Sequence, residues 1–365
     1  VRRTTRRAIL AAAALAAPAL LPAAAHAQVG SYRYSSIVVD DATGKVTEAV
    51  NADAPRYPAS LTKLMTLYVA FEALRNHRIT LDQQVPVSQH AAQQEPSKLG
   101  LVPGTRFTVE DAILAIVTKS ANDAACALGE LVGGDEPRFA QIMTLRARAL
   151  GMTHSTFRNA SGLPDPNQVT TARDLALLAH HLVNDFPREY HYFAVPSFVF
   201  HGRTIPNHDR MLTDYDGADG LKTGYTVAAG HNLVTSAVHG TTRLIGVVMG
   251  AGSNTERDIH MASLLDSGFG DMGVPVTPQQ HHFRLPSLIA SAEAATVHRS
   301  LAGYHGHPRF GHGHLVHYAS SRHLAGAMPR PTYAVAHGRT LAASAHARTL
   351  TCKAHHHCAR TARRA

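Results

Sequence analysis

Lysine is scarce in this chain, with six residues in 365, and only Lys63 has a serine three positions before it. Cysteine is scarcer, with three residues. Cys126 lies in an apolar helical stretch and reads as a buried small hydrophobe. Cys352 and Cys358 flank His355-His356-His357, where an exported protein can form a disulfide and a metal site is the lesser alternative. The net charge of +9 comes without a helix-turn-helix or an aromatic RNA-binding signature, and the basic residues gather at the two ends. Nucleic acid is therefore not the expected partner, whereas an acidic wall polymer or a membrane surface stays open. No Gly-x-Ser-x-Gly elbow is present, so a Ser-His-Asp reading of His201, His208 or His231 has no support.

The N-terminus indicates the compartment. Arg2, Arg3, Arg6 and Arg7 precede an alanine-rich apolar run from Ala8 to Ala24 and then Ala25-His26-Ala27. This pattern is a basic region, an apolar region and a small-x-small cleavage site, so residues 1–27 are expected to be a signal peptide cleaved near Ala27. Pro18, Pro22 and the modest length argue against a retained membrane helix. Thr5 to Leu10 loosely resembles a twin-arginine signal, although an ordinary secretory signal is the simpler reading. The mature chain is expected in the periplasm or cell envelope. Beyond about Val274 the only acid is Glu293, apolar periodicity fades, and about half of the histidines are found there. Residues 273–365 read as a disordered cationic tail without an amphipathic membrane helix. Electrostatic contact of that tail with anionic envelope polymers is expected to strengthen below about pH 6.5, as histidines charge.

Between these ends, residues 28–272 have the pattern of one α+β domain. Ser36–Asp40 reads as a strand, Asp41–Gly44 as a turn and Lys45–Ala49 as the returning arm. Leu61, Leu64, Met65, Tyr68 and Val69 mark a helix beginning near Ser60. Gln84 to Gly104 looks like a loop, and Thr108–Asp111 has the form of a capping box before a helix that stops near Ser120. Further helices are expected over Asp123–Leu131, over Pro137–Leu150 and after Thr171. Strands are expected at Phe198–Phe200, Leu221–Thr223, Asn232–Val238 and Arg243–Gly250. A last helix is expected over Thr255–Phe269, with Ile259, Ala262, Ser263 and Leu265 facing inward. Strands at both ends with helices between them predict an antiparallel sheet assembled from the two ends of the domain.

Three short strings then occur once each, in order: Ser60-Leu61-Thr62-Lys63, Ser120-Ala121-Asn122 and Lys222-Thr223-Gly224. Helical spacing puts Ser60 and Lys63 on one face of a first turn. Serine is a weak nucleophile until a base takes its proton, and a buried lysine can be that base. Lysine ordinarily titrates at about 10.4, so a neutral amine at about pH 7 costs roughly 4 to 5 kcal/mol. Burial and a second nearby cation can supply it. Taken singly, Asn122 could only cap a helix, Thr223 is an ordinary strand residue, and Lys222 could be a solvated edge charge.

With the flanking Gly220-Leu221 and Tyr225–Gly230, and the segments Gly151-Met152 through Gly162-Leu163-Pro164 and Thr171–Leu177, the chain resembles the low-molecular-mass penicillin-binding proteins. These are the serine-type D-alanyl-D-alanine carboxypeptidases of peptidase family S11. The resemblance runs from about Ser31 to Gly270. It implies a penicillin-binding-protein/β-lactamase-like transpeptidase fold, an antiparallel sheet flanked by helices with an inserted helical subdomain. It also implies Ser60 as acyl-ester nucleophile, Lys63 as general base, Ser120 as proton relay and Asn122 as the residue orienting Lys63 and contacting substrate. Lys222, Thr223 and Gly224 would bind substrate, and the backbone N–H groups of Ser60 and Tyr225 would form the oxyanion hole. Gly224 would leave room for substrate along the strand edge. The implied partners are peptidoglycan stem peptides and, as covalent inhibitors, β-lactams; no metal or cofactor is implied, and a monomer is expected.

Other functions share these motifs. A D,D-endopeptidase cutting peptide cross-links differs only in its pocket, and an inactive wall-binding module would retain the fold without acylation. A class A β-lactamase deacylates with a glutamate, and none occurs between Gly151 and Thr171.

Overall fold

The computed structural model describes residues 32–276. In chain order it contains β1 (Ser35–Asp40), β2 (Val46–Val50), α1 (Thr62–Arg75), β3 (Gln84–Pro86), α2 (Gln89–Ala92), β4 (Arg106–Thr108), α3 (Val109–Thr118), α4 (Asn122–Gly133) and α5 (Glu136–Ala149). There follow α6 (Ala172–Asp185), β5 (Ser197–Phe200), β6 (Arg203–Pro206), α7 (Met211–Asp214), β7 (Ala218–Thr226), β8 (Gly230–His239), β9 (Thr242–Ala251) and α8 (Asn254–Asp271). The proposed signal peptide, the tail, Cys352 and Cys358 lie outside the described residues.

Five strands form one antiparallel sheet in the order β2-β1-β9-β8-β7. The first and last strands of the domain meet at its middle, where Ile37 is opposite Val247. Successive side chains on a strand point to opposite faces, and the apolar residues divide accordingly. Ile37, Val234, Ile245, Val247 and Met249 join the core shared with the helices between β2 and β7. Val38, Leu233, Leu244 and Val248 pack with Met261, Leu265 and Phe269 of α8 on the other face. Near-continuous apolar runs in β8 and β9 are thus the mark of a sheet covered on both sides.

The α+β architecture with inserted helices agrees with the sequence reading, and three local expectations do not. Gln84–Gly104 is not all loop: Val85 is buried and pairs with Phe107, and Ser88 caps the short α2 by accepting from Ala91 N. Elements of three and four residues are too short to show a period. β6, which pairs with β5, was likewise not foreseen, because Arg203–Pro206 is largely exposed. On α8, Ser263 is exposed, and the buried stripe includes Met261, Leu264 and Phe269. Among the described residues no helix is long and apolar enough to cross a membrane.

Local rules explain the helix starts around the site. Thr108 accepts from Asp111 N while Asp111 reaches back to Thr108 N, a complete capping box for α3. After α3 the chain turns through Ser120 at φ 58°, a conformation that disfavours any residue but glycine and here aims the next residues into α4. The buried Asp123 then ties the preceding loop down. Its carboxylate accepts from the backbone N–H of Leu99, Gly100, Leu101 and Ala124 at 2.8–3.0 Å. Asp123→Ala would strand several of these donors in the interior. The expected loss is about 3 kcal/mol or more, read as a lower urea midpoint with an unchanged slope.

Candidate active site

A 3₁₀ turn, Ala59–Leu61, delivers the chain into α1. Ala59 holds φ at 50°, and Ser60, at the centre of the turn, keeps its side chain partly open. Gly162 makes this turn possible: at φ 88°, any Cβ there would overlap the Ala59 carbonyl. Lys63, one turn on, is completely buried. Its Nζ donates to Ser60 Oγ at 3.2 Å, to Asn122 Oδ1 at 2.7 Å and to the Ser161 carbonyl. In the neutral amine the two N–H groups can stay on Asn122 and Ser161 while the lone pair faces the Ser60 hydroxyl.

Asn122 does not cap α4 with its side chain. Its Oδ1 faces Lys63 and its Nδ2 donates to the Glu95 carbonyl at 2.7 Å, so it is a bridge between the helical subdomain and α1. Ser120 Oγ is buried and makes no hydrogen bond among the described residues. Ser60, Ser120, Asn122, Thr223, Gly224 and Tyr225 line one cleft of about 510 Å³.

β7 is the edge strand of the five-stranded sheet, and its Lys222-Thr223-Gly224 segment runs beside the Ser60 turn. Glycine at 224 also has a reason within the chain itself. A Cβ there would lie 3.1 Å from Ser60 N and 3.2 Å from both Leu61 N and the Pro58 carbonyl oxygen. Gly224 lets the strand lie against the turn, and Tyr225, the next residue, lines the same cleft as Ser60. Asn232 on β8 reinforces the contact by donating to the Tyr57 and Pro58 carbonyls.

Two buried amines govern the electrostatics. Burial first, and the Lys222 charge second, hold Lys63 well below the ordinary lysine range, while Asp123 and Glu136 pull the other way. Lys222 is 1% exposed and donates to the Thr223 carbonyl at 3.0 Å. Burial lowers it to about 8, against the opposing attraction of Asp209. Asp209 is itself pushed up to about 6, mainly by burial. The second cation sought from the sequence is thus present, and sequence reasoning missed Asp209, the carboxylate whose charge acts on it. A lone Asp in His208-Asp209-Arg210 carries no local signal of pairing with a strand residue.

One more cleft residue, Arg257, was missed, and His208, weighed only for a triad, also lines the cleft. Arg257 on α8 is buried, pairs with Asp258 at 2.6 Å and donates to Asn254 Oδ1 at 3.0 Å. His208 lies in the cleft wall, and burial with the Lys222 charge lowers it to about 4, so it is neutral at physiological pH. The other two histidines weighed for a triad lie elsewhere. His231 stacks on Tyr225 and bonds Asn254, and His201 sits in the β5–β6 turn.

The sequence profile described as D-alanyl-D-alanine carboxypeptidase matches residues 23–253. The chain belongs to this family. The D-alanyl-D-alanine carboxypeptidase DacC of Escherichia coli is 40% identical over 240 residues, covering 64% of this chain and 60% of that protein. The chain thus matches about three-fifths of the length of that curated relative. Penicillin binding protein 5 from Haemophilus influenzae superposes with a TM-score of 0.63 at 36% identity, over 65% of this chain and 70% of the other. Penicillin-binding protein D2 from Listeria monocytogenes, solved in its ampicillin-bound form, gives a TM-score of 0.57 at 31% identity, over 64% of this chain and 96% of the other. The penicillin-binding-protein fold expected from the three strings is therefore the fold of this family member.

The coupling of the two amines predicts a pH profile. Lys222→Met removes the cation that disfavours protonation of Lys63, so Lys63 should lose its proton at higher pH. In the wild type, acylation by a chromogenic β-lactam should fall off again above about pH 8, as Lys222 discharges. In Lys222→Met the acidic limb should move to higher pH and that alkaline limb should vanish. An unchanged acidic limb would show that Lys222 does not set the basicity of Lys63.

Proposed function

We propose that the protein is an exported serine D,D-carboxypeptidase that removes the terminal D-alanine from peptidoglycan stem pentapeptides. The observation that carries this reading is the contact of a buried amine, Lys63, with the partly open Ser60 hydroxyl at 3.2 Å. An amine shielded from water and facing a second cation is disposed to be neutral, and a neutral amine in hydrogen-bond reach can take the serine proton.

In this mechanism Ser60 Oγ attacks the carbonyl between the two D-alanines as its proton passes to Lys63. The resulting oxyanion is held by the backbone N–H groups of Ser60 and Tyr225, each donor typically contributing about 2.7 to 4 kcal/mol in such sites. Asn122 keeps Lys63 in line with Ser60 and presents its amide to the substrate backbone. Ser120, its hydroxyl without a partner among the described residues and in the same cleft, passes a proton to the leaving D-alanine nitrogen. Water then attacks the acyl-enzyme and restores Ser60. The substrate ends in a carboxylate. Thr223 supplies a hydroxyl to it, while Lys222 and Arg257 make the cleft electropositive around it. β-Lactams present a carboxylate and a strained amide in the same relation, so Ser60 would open the ring and hold the acyl group.

D-alanine release from a peptide ending Lys-D-Ala-D-Ala tests the reading. The wild-type chain should release D-alanine, and Ser60→Ala should lower the rate by at least roughly 1,000-fold. Thr223→Val keeps the shape and removes one hydrogen bond to a charged group. It should cost about 10- to 100-fold in kcat/KM. If mass spectrometry finds a penicillin adduct on Ser60 while no D-alanine is released, the carboxypeptidase assignment fails.

A further inference from the structure

Outside the proposed catalytic residues, three helices bring together a mixed set of ligating atoms. Cys126 and Glu130 are one turn apart on α4, so they share a face. His90 comes from α2 and Glu136 from the first turn of α5. His90 Nε2 or Nδ1, Cys126 Sγ and a Glu130 carboxylate oxygen lie within 4.8 Å of one another. Glu136 Oε2 is 2.6 Å from His90 Nε2, which makes it a further carboxylate at the cluster.

The chemistry of this cluster is not explained by packing alone. The Cys126 thiol is fully buried, and its partner Glu130 Oε1 is distant, at 3.9 Å. Burial and the neighbouring Glu136 and Glu130 carboxylates push the thiol's proton affinity up. Two carboxylates that disfavour a bare thiolate favour any cation that replaces its proton. Glu130 is held in place by Ser88 Oγ at 3.0 Å, and Glu136 by Ala160 N at 3.0 Å. The His90 side chain, by contrast, is 58% exposed, so the cluster opens to solvent on that side.

We propose that His90, Cys126 and Glu130 bind a borderline-soft divalent cation of the zinc class, with Glu136 adding negative charge beside it. One sulfur, one imidazole nitrogen and one carboxylate suit zinc or a softer ion and not magnesium or calcium, which take oxygen ligands. Ligand bonds of about 2.0 to 2.3 Å put neighbouring tetrahedral ligands roughly 3.5 Å apart, so the cluster needs to contract by about an ångström. The solvent-facing imidazole and the half-buried Glu130 provide that movement. Binding forms a sulfur–metal bond and releases the thiol proton to solvent; no oxidant or reductant takes part. The cation would fasten α2, α4 and α5 together. The cluster adjoins the proposed machinery without belonging to it: Asn122 is one turn before Cys126, and Ala160 precedes the Ser161 carbonyl that accepts from Lys63.

The experiment uses the full chain carrying Cys352→Ser and Cys358→Ser, so that Cys126 is the only thiol. Cadmium(II) is titrated in, and thiolate-to-cadmium charge-transfer absorption is read in the ultraviolet, where histidine ligation alone gives no such band. The expected result is a band saturating at one ion per chain at micromolar cadmium, with one proton released. His90→Ala and Glu130→Gln in the same background should weaken it roughly tenfold or more. Cys126→Ser in that background defines the baseline. Absence of the band up to millimolar cadmium, or an affinity unchanged in both ligand variants, would overturn the proposal.

Discussion

The structure depends on keeping one amine out of water. Lys63 has no exposed surface, and its Nζ meets a serine hydroxyl, an asparagine oxygen and a backbone carbonyl. An ammonium in that position loses its hydration, and a second buried amine, Lys222, opposes its charge as well. The acids that favour the charged form of Lys63, Asp123 and Glu136, are engaged with backbone N–H groups, and their effect comes after burial and the Lys222 charge. Carboxylates directed at Lys63 would have restored its proton and given an ordinary buried ion pair.

Each flanking element can be understood as a support for that amine. The 3₁₀ turn and α1 bring Ser60 and Lys63, the α3–α4 turn and the start of α4 bring Ser120 and Asn122, and the segment from Ala160 to Gly162 supplies a carbonyl and the space for the Ser60 turn. β7 closes the fourth side, with Gly224 against the turn. The pieces come from distant parts of the chain and meet in one cleft. This explains why three strings, each unremarkable alone, were informative in combination.

How much could be read from the amino acids varied with the range of the interaction. Helix periodicity, the Thr108 capping box and the order of the three strings are local, and they located α1, α3, α4 and the residues of the cleft. The α+β class and the sheet built from both ends also followed from the pattern of strands. Less legible were features that depend on burial of isolated polar residues. Asp209, His208 and Arg257 give no periodic or spacing signal, and their proximity to Lys222 or the cleft arises only from tertiary packing. Ser263 was misplaced because α8 lies on the sheet through Met261, Leu264 and Leu265, a stripe rotated slightly from the expected one. The close approach of Gly224 to the chain's own turn was also not legible, for a similar reason.

The pairing of β1 with β9 also bears on synthesis and folding. Ser36 is opposite Val248, so the centre of the sheet joins residues separated by most of the domain. Contacts of such long range form slowly, because the intervening loop must close before they stabilise anything. α1 and α4 are made long before β7, β8 and β9, so a partly made chain holds Ser60, Lys63 and Asn122 without Lys222 or the sheet. Ser60 and Lys63 therefore lack the second cation until β7 has been made, and the same order of events delays the proposed site until nearly the whole domain is available to fold.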